Sequence, residues 1–406
     1  MLRSLLLLLA LVAAATLAAC GHSGDPIAPD AASTPSDDAQ IADAAELYDA
    51  PPASVASVVL AGGWAHTCGI SGSTVKCWGQ NAYGELGIGN MQEMHVPQSV
   101  AGVTGIVAIA AANVHSCALD GAGAVWCWGR NNNGELGDTT TMDRTVPTPV
   151  SALAPANRIA AGTYHTCAVT AAGGVSCWGR NHEGQLGDTT QMDRRAPVQV
   201  SSLAAGVSEL TLGTAHSCAL LATGAVRCWG DNERGQLGDG TQQDRASPVD
   251  VVGLSSGVIA LGAGDQHTCA LLAIGEVRCW GDNYRGQLGG HLGAFSATPV
   301  AIAGVGSPTA LAVGGHHVCA LVNAGVKCWG YDNAGQLGNG VSSSTSSASP
   351  VDVVGLSGVA RIGSGYSHVC ATLVAGGAMC WGDNVRGELG DGTVVTRHAP
   401  VSVVGF

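Results

Sequence analysis

Histidine and cysteine recur together seven times along the chain, at intervals of about fifty residues. Each copy reads His-x-Cys, then eight or nine residues, then Cys-Trp-Gly. The histidines of the seven copies are His66, His115, His165, His216, His267, His317 and His368. These residue types can hold zinc, form disulfide bonds or carry out acid–base catalysis.

The two cysteines of each copy are spaced as directly opposed residues of a β-hairpin. Such residues lie about 4.5–5.5 Å apart at Cα, a distance that a disulfide bond accepts. Seven zinc sites are the alternative, but a structural zinc ion needs four ligands and no fourth ligand recurs at a fixed spacing. We therefore predict no metal site and seven disulfide bonds: Cys68–Cys77, Cys117–Cys127, Cys167–Cys177, Cys218–Cys228, Cys269–Cys279, Cys319–Cys328 and Cys370–Cys380.

The repeated histidines could form a ring of ligands, but their presence in every copy favours a structural role. A catalytic site is asymmetric, whereas packing between repeats needs the same residue each time. We expect each imidazole to be buried and bonded to a nearby backbone group, and the repeated tryptophans to lie in the core. The chain lacks G-x-S-x-G, H-E-x-x-H and phosphate-loop signatures. We therefore predict no catalytic residue and no cofactor.

Aspartate also recurs after the Leu-Gly step in four of the seven repeats, at Asp138, Asp188, Asp239 and Asp391. They could bind calcium, but no full oxygen cage surrounds them, and turn chemistry explains them. The neighbouring Asp-Arg steps, which begin at Asp143, Asp193 and Asp244, are interpreted as loop-ordering contacts or solvated charges rather than as a ligand site.

The elements that must position these residues are short strands. In the fifth repeat, strands are predicted at residues 258–261, 267–272, 277–280 and 299–302. Four strands per fifty residues, separated by glycine-rich turns, are typical of a propeller blade. The predicted fold is all-β, a seven-bladed β-propeller with one cross-strand disulfide bond per blade. We expect the last strand, at 400–404, to join the first hairpin in a shared blade and so close the ring.

The first residues read as a targeting segment. Arg3, an apolar stretch at 5–17 and Leu17-Ala18-Ala19-Cys20 form a lipoprotein-type signal, with an ordinary secretory signal as the alternative. Seven cysteine pairs among fifteen cysteines leave Cys20 over, and lipidation would explain it. The predicted domains are a signal peptide at 1–19, a flexible acidic tether at 20–57 and the propeller at 58–406. The predicted location is the bacterial cell envelope, with the lipid in the outer membrane.

The net charge of −13 overstates the acidity of the body, because removing the seven acids and Arg3 of the first 57 residues leaves 23 acids and 16 bases, a net charge of −7. No basic patch is present in the sequence, and this argues against nucleic-acid binding. No second run of eighteen apolar residues follows the signal, so membrane contact is expected through the N-terminal lipid only. We expect a monomer that binds a protein of unknown identity.

The motifs Trp229-Gly230-Asp231-Asn232 and Gln236-Leu237-Gly238-Asp239-Gly240-Thr241 resemble the regulator-of-chromosome-condensation repeat family, and the resemblance covers 58–406. It implies a seven-bladed propeller used mainly to bind proteins. The namesake of the family in eukaryotes is a nuclear nucleotide-exchange factor. That role is not expected for a chain that is exported, acidic and disulfide-paired, because fold does not carry function.

Function should lie where the repeats differ, in the loops that follow Cys-Trp-Gly. These loops are expected on one rim, and tyrosine and arginine are enriched at binding hot spots. The candidate binding residues are Tyr83, His182, Arg234, Tyr284, Arg285, Tyr331 and Arg386. The alternative is that these surface loops tolerate substitution and that their sequences differ by drift alone. The predicted function is non-catalytic protein binding, with a glycan or polymer binder, or an enzyme with its site in the channel, as alternatives.

Overall fold

A computed structural model describes residues 59–290, 293–341 and 346–406 of the chain. The predicted signal peptide, Cys20 and the tether lie outside the described residues. Twenty-eight β-strands and no helix are found in the described part, so none of its elements is a helix able to cross a bilayer. The strands form seven antiparallel sheets of four strands each, as the repeat pattern predicts.

Each sheet uses four consecutive strands, and the blades are numbered in chain order. Blades 1 to 3 comprise β1 (Val59–Gly62), β2 (His66–Ser71), β3 (Thr74–Gly79), β4 (Met94–Ser99); β5 (Ile106–Ala111), β6 (His115–Asp120), β7 (Val125–Gly129), β8 (Arg144–Pro149); β9 (Ala156–Ala161), β10 (His165–Thr170), β11 (Val175–Gly179), β12 (Arg194–Gln199). Blades 4 and 5 comprise β13 (Val207–Leu212), β14 (His216–Leu221), β15 (Val226–Gly230), β16 (Arg245–Asp250); β17 (Val258–Ala263), β18 (His267–Leu272), β19 (Val277–Asp282), β20 (Phe295–Ala301). Blades 6 and 7 comprise β21 (Pro308–Val313), β22 (His317–Val322), β23 (Gly325–Gly330), β24 (Ser347–Asp352); β25 (Val359–Ser364), β26 (His368–Leu373), β27 (Ala378–Gly382), β28 (Arg397–Ser402).

The second and third strands of every blade form the predicted hairpin. Cys269 lies opposite Cys279 in blade 5, and Cys68 lies opposite Cys77 in blade 1. All seven disulfide bonds are formed, with Cα atoms 4.0–4.1 Å apart and side chains that are almost completely buried. In blade 6 a two-residue turn joins the strands, and Asn323 and Ala324 both have positive φ angles, as a type I′ turn requires.

The core is divided into seven clusters, and each cluster lies between two neighbouring blades. Each contains the disulfide bond of one blade and the repeated tryptophan of the next, as with Cys218, Cys228 and Trp280. All seven repeated tryptophans are fully buried, which confirms their predicted place in the core. Blades therefore cohere through the apolar area that they bury against each other.

The prediction of how the ring closes was wrong. Strand β28 pairs with β27 inside blade 7, and β1 pairs with β2, so no blade is shared between the two ends. The ring closes by packing instead. Phe406 lies edge-on against Trp78, with ring centroids 5.4 Å apart, and Lys76 Nζ donates to the carbonyl of Gly405 at 2.6 Å.

A hydrogen-bond relay joins most neighbouring blades, and it corrects the predicted partner of the histidines. His115 Nε2 lies 2.8 Å from the hydroxyl of Thr166, and this hydroxyl donates to the carbonyl of Glu135. The same carbonyl accepts from the indole of Trp178 at 2.9 Å. Because the hydroxyl uses its only proton in the hydrogen bond to the carbonyl, it can only accept from the imidazole, which must therefore donate through Nε2. The histidine is thus buried as predicted, but its partner is a side chain of the next blade.

Five of the seven blade seams carry this complete relay. It starts from His66, His115, His165, His216 and His368. His317 bonds to Ser364, since Val369 stands where the hydroxyl would be. At the seam between blades 5 and 6, Val318 occupies that position, and His267 has no hydrogen-bond partner on either ring nitrogen among the described residues. Among the described residues, this is the one seam whose repeated histidine makes no hydrogen bond.

We expect Val318→Thr to stabilise the protein. The new hydroxyl would accept from His267 and donate to the carbonyl of Gln287, which already accepts from Trp329. A hydrogen bond to the unsatisfied imidazole nitrogen should raise the free energy of unfolding by about 1–3 kcal/mol, which exceeds the cost of the lost methyl group. The free energy of unfolding in urea measures the gain. Val369→Thr is the matched control and should be neutral or destabilising, because His317 is already bonded; equal gains for both variants would contradict the relay.

The buried histidines also predict acid sensitivity. Burial lowers the pKa of His66, His115, His165 and His317 to about 3 and of His216 and His368 to about 4, and it lowers that of His267. Unfolded histidines titrate near 6.5, so below that pH the unfolded chain binds more protons and stability is lost as the pH falls.

Burial also raises the pKa of seven carboxyl groups, and these oppose the trend: Glu85, Glu135, Glu209, Asp231, Asp282, Asp332 and Glu388. Burial raises the pKa of Glu209 and Glu388 to about 7, so their contribution grows as the pH falls towards 4.5. At pH 5.5 the seven histidines are protonated in the unfolded chain and neutral in the folded one, whereas the smaller carboxyl shifts change protonation only in part, so we expect a net uptake of protons on unfolding. The urea concentration at the unfolding midpoint, measured with disulfide bonds intact, should decrease as the pH is lowered from 7 to 5. A midpoint that rises over this range would show that the imidazoles are not held neutral.

Candidate binding face

Two sets of loops lie on the same face of the ring, called the upper face below. The inner loops join the first and second strands of each blade, at 63–65, 112–114, 162–164, 213–215, 264–266, 314–316 and 365–367. The outer loops join the third and fourth strands, and their described parts are 80–93, 130–143, 180–193, 231–244, 283–290, 331–341 and 383–396. Both sets meet in every blade, as where Gln80 N donates to the carbonyl of Ala65 at 2.8 Å.

The repeated polar residues fix the shape of the outer loops. Asn131 Oδ1 accepts from the amide of Leu136, and its Nδ2 group donates to Asp138. Arg144 pairs with Asp138 at 2.6 Å, and Asp143 accepts from the amide of Asn131. The predicted loop-ordering contacts are therefore present. The described residues contain no group of three or more metal-ligating side chains, and the aspartates of the Leu-Gly-Asp turns are occupied by these bonds.

The seven predicted binding residues all lie in outer loops on the upper face. Four of them are exposed, namely His182, Tyr284, Arg285 and Arg386, and three are partly buried, namely Tyr83, Arg234 and Tyr331. They do not form one cluster, because they are spread around the ring. Two pairs meet across blade boundaries, Arg234 with Tyr284 and Arg285 with Tyr331. Arg386 of blade 7 pairs with Glu93 of blade 1 at 3.3 Å.

Arginines of the upper face stack on tyrosines, a pattern that the sequence did not predict. The guanidinium of Arg285 lies 4.3 Å from the ring centroid of Tyr331, and that of Arg234 lies 5.1 Å from Tyr284. Arg130 lies over both Tyr83 and Tyr164, and Arg180 lies over Tyr164. Contacts of this kind are worth about 0.5–1 kcal/mol at exposed sites, so they hold long side chains in defined positions.

The inner loops surround the mouth of the central channel. A cavity of about 240 Å³ opens there, lined by the ends of the first strand of every blade and by the inner loops. The strand ends supply glycine or alanine in four blades and Leu212, Val313 and Ser364 in the other three, while the loops supply the aromatic and most of the polar side chains. These side chains are of five types in six blades: Trp64, Asn113, Thr163, Thr214, Asp265 and Tyr366.

One half of this mouth is aromatic and the other half is polar. Trp64 is 49% exposed and lies edge-on to Tyr366, with centroids 6.2 Å apart. Asp265 accepts a hydrogen bond from Thr214 on one carboxylate oxygen, and its other oxygen lies 3.7 Å from His316 Nε2. The same nitrogen lies 3.1 Å from the hydroxyl of Tyr366. Burial and the neighbouring Asp265 charge raise the pKa of Tyr366 to about 12.

Sequence reasoning missed this ring of inner-loop residues. They stand two residues before the repeated histidine, at a position where six different residue types occur in the seven repeats, so the repeat pattern assigns it no role. The available signal was Trp64, one of two tryptophans outside the repeated position. Knowing that this position faces the channel required the direction of the first strand in the blade.

The regulator of chromosome condensation (RCC1) repeat matches residues 75–119, 122–169, 172–220, 223–271 and 326–372, which is more than half of the chain. The chain belongs to the RCC1 repeat family. A second form of the same repeat matches 106–135, 157–185, 207–236 and 258–287. Propellers of this family often mediate protein interactions.

Among curated relatives, human HERC2, an E3 ubiquitin-protein ligase, is 30% identical over 207 residues. This alignment spans 49% of the present chain but only 4% of HERC2. Human HERC6, a probable E3 ubiquitin-protein ligase, is 30% identical over 200 residues, or 47% of this chain and 20% of HERC6. The likeness therefore concerns a propeller segment of much longer proteins.

Among solved structures, human WBSCR16 has a TM-score of 0.74 and 25% identity, covering 82% of this chain and 94% of its own. Yeast RCC1 (Prp20) bound to Kap60 has a TM-score of 0.73 and 22% identity, covering 82% of this chain and 83% of its own. The second of these likenesses is one of fold alone.

Proposed function

We propose that this protein is a lipid-anchored, extracytoplasmic propeller that binds a protein partner through its upper face, without catalysis. The observation that carries the proposal is the contrast between seams and loops. The relays and disulfide bonds repeat from blade to blade, whereas the upper-face loops differ in every blade and carry tyrosine, arginine and tryptophan. Those residue types dominate binding hot spots.

The loops are also rigid, which favours binding. Among the described residues, six outer loops are tied to the fourth strand of the next blade, as where Thr139 N donates to the carbonyl of Arg195 at 2.8 Å. Arginine–tyrosine stacking further restricts the side chains. A surface ordered in advance loses little conformational entropy when a partner docks.

The family supports a protein partner. Yeast Prp20 is described in complex with Kap60 in one solved structure and with binding properties towards Gsp1p and histones in another. Those partners are not carried over to this chain. The envelope location rests on the lipoprotein-type signal ending at Cys20 and agrees with the seven disulfide bonds, which persist in oxidising compartments.

Glycan binding is the second candidate, and the exposure of Trp64 at the channel mouth favours it. The third candidate, an enzyme, is favoured by the meeting of Asp265 and His316 at the same place. However, the hydroxyl of Thr214 bonds to Asp265 and not to the imidazole. Among the described side chains of the mouth, His316 therefore lacks the serine, threonine or cysteine nucleophile that acyl transfer would need.

Photo-cross-linking in intact cells tests the choice of face. A photoreactive amino acid in place of Tyr284 on the upper face should give a defined protein adduct. The double substitution Tyr83→Ala and Tyr331→Ala should reduce the yield of this adduct several-fold. The matched control places the same photoreactive group at Ile274, which is 78% exposed in the hairpin turn on the opposite face. An adduct of equal yield at Ile274, or capture that is unchanged by the tyrosine replacements, would discard this face as the binding site.

The anchor is tested separately. Cys20→Ser removes the thiol that lipid would modify, so the protein should move from the membrane fraction to the soluble fraction of lysed cells. Cys20 is outside the seven pairs, and folding should be unaffected. Fractionation of both forms measures the effect, with an untouched lipoprotein as the control. Membrane association that survives the replacement would contradict a lipid anchor at this residue.

A further inference from the structure

The mouth of the central channel contains an aromatic surface that lacks the partner found elsewhere on the same face. Tyr83, Tyr164, Tyr284 and Tyr331 each have an arginine guanidinium within 6.0 Å of the ring centroid. Trp64 and Tyr366, which contact each other, have no such cation among the described residues. Half of the Trp64 side chain is open to solvent. Its indole can therefore accept a cation from outside the chain.

The same mouth holds a carboxylate without a strong cation. Asp265 lines the cavity, and among the described residues no lysine or arginine lines it. Asp265 is held in position by Thr214 and lies near His316, and its side chain keeps 24% of its surface exposed. Thr163 donates to Thr214 at 2.9 Å, since the hydroxyl proton of Thr214 is used in the bond to Asp265, and this extends the polar side of the mouth. An oriented carboxylate of this kind makes strong hydrogen bonds to N–H groups that carry positive charge.

The size of the cavity limits what can enter. Its volume of about 240 Å³ lies below the range of about 300–1,000 Å³ typical of sites for drug-sized molecules. One long side chain fits this volume better than an oligosaccharide does. Lysine and arginine carry hydrogen-bond donors and no acceptor, which matches a carboxylate, an unpaired Asn113 Oδ1 and aromatic faces.

We infer that the channel mouth captures a lysine or arginine side chain projecting from the surface of the partner protein. The charged end binds Asp265, and the cation or its apolar stem lies against Trp64 and Tyr366. The inference deepens the proposed protein-binding function and rests on it for the source of the side chain. The cation-binding chemistry itself can be tested without the partner.

The test uses the full chain and three small probes: N-acetyl-lysine amide, N-acetyl-arginine amide and N-acetyl-norleucine amide. Binding is followed by calorimetry and by changes in tryptophan fluorescence. We expect a cationic probe to bind at least about tenfold more tightly than the norleucine probe, since norleucine keeps the stem and lacks the charge. Asp265→Asn should weaken cationic binding by about tenfold, and Trp64→Ala should weaken it several-fold.

The matched control is Asp250→Asn, which removes a carboxylate that is 79% exposed and paired with Arg227 on the outer strands. It should leave probe binding unchanged. Because Trp64 is outside the core clusters, its replacement keeps the test valid even if Asp265→Asn destabilises the fold. Equal binding of the norleucine probe, tighter binding of a neutral methyl glycoside, or wild-type lysine binding by both variants would overturn the inference.

The outcome also separates this inference from the broader proposal. If the partner is cross-linked at Tyr284 but no cationic probe binds, the channel-mouth inference fails and the binding face stands. If a cationic probe binds with the expected dependence on Asp265 but no adduct forms at Tyr284, the channel mouth is a cation site and the proposed partner surface is wrong.

Discussion

At five of the seven seams one backbone carbonyl receives two hydrogen bonds from the next blade, and the ring depends on this junction. The carbonyl of Glu135 accepts from the indole of Trp178 and from the hydroxyl of Thr166, which in turn accepts from His115. All of these groups are buried, so each bond that is missing leaves an unsatisfied polar atom at considerable cost. The tryptophan also fills the apolar cluster beside the disulfide bond of the preceding blade. Polar satisfaction and apolar packing thus select the same geometry.

The contacts that hold the scaffold together do not depend on the variable side chains of the upper-face loops, so these loops can differ between blades. Disulfide bonds hold each hairpin, relays join the blades, and Asn–Asp–Arg contacts shape the outer loops. None of these contacts uses the side chains of Tyr284, Arg285 or Trp64. Substitution at those positions therefore changes the surface chemistry without changing the fold, as expected for a repeat scaffold that presents a binding surface.

Local patterns predicted the local structure well. The spacing of Cys269 and Cys279 placed both residues in register on a hairpin, because the side-chain period of a strand is fixed. Closure was mispredicted because residues 400–404 resemble the element that precedes each blade, and the sequence does not reveal that packing of Phe406 on Trp78 would close the ring. The histidine partners were also missed, since a hydroxyl fifty residues away is adjacent only once the blades are stacked.

The candidate site could be predicted in part. The outer-loop residues were placed on one face by the repeat pattern alone, whereas Asp265, His316 and Tyr366 meet across three blades and share no sequence motif. Their proximity follows from the closure of the ring and the direction of the inner strands. The stacking of Arg130 on Tyr164 has the same origin.

The tautomeric state of the repeated imidazoles tests the seam junction most directly. Long-range ¹H–¹⁵N correlation spectra of the histidine side chains at pH 5 can distinguish protonated rings from each neutral tautomer. We predict neutral rings with the proton on Nε2 for His66, His115, His165, His216 and His368, because each must donate to a hydroxyl that is itself donating to a carbonyl. Rings that are protonated at this pH, or that carry the proton on Nδ1, would contradict the relay between blades.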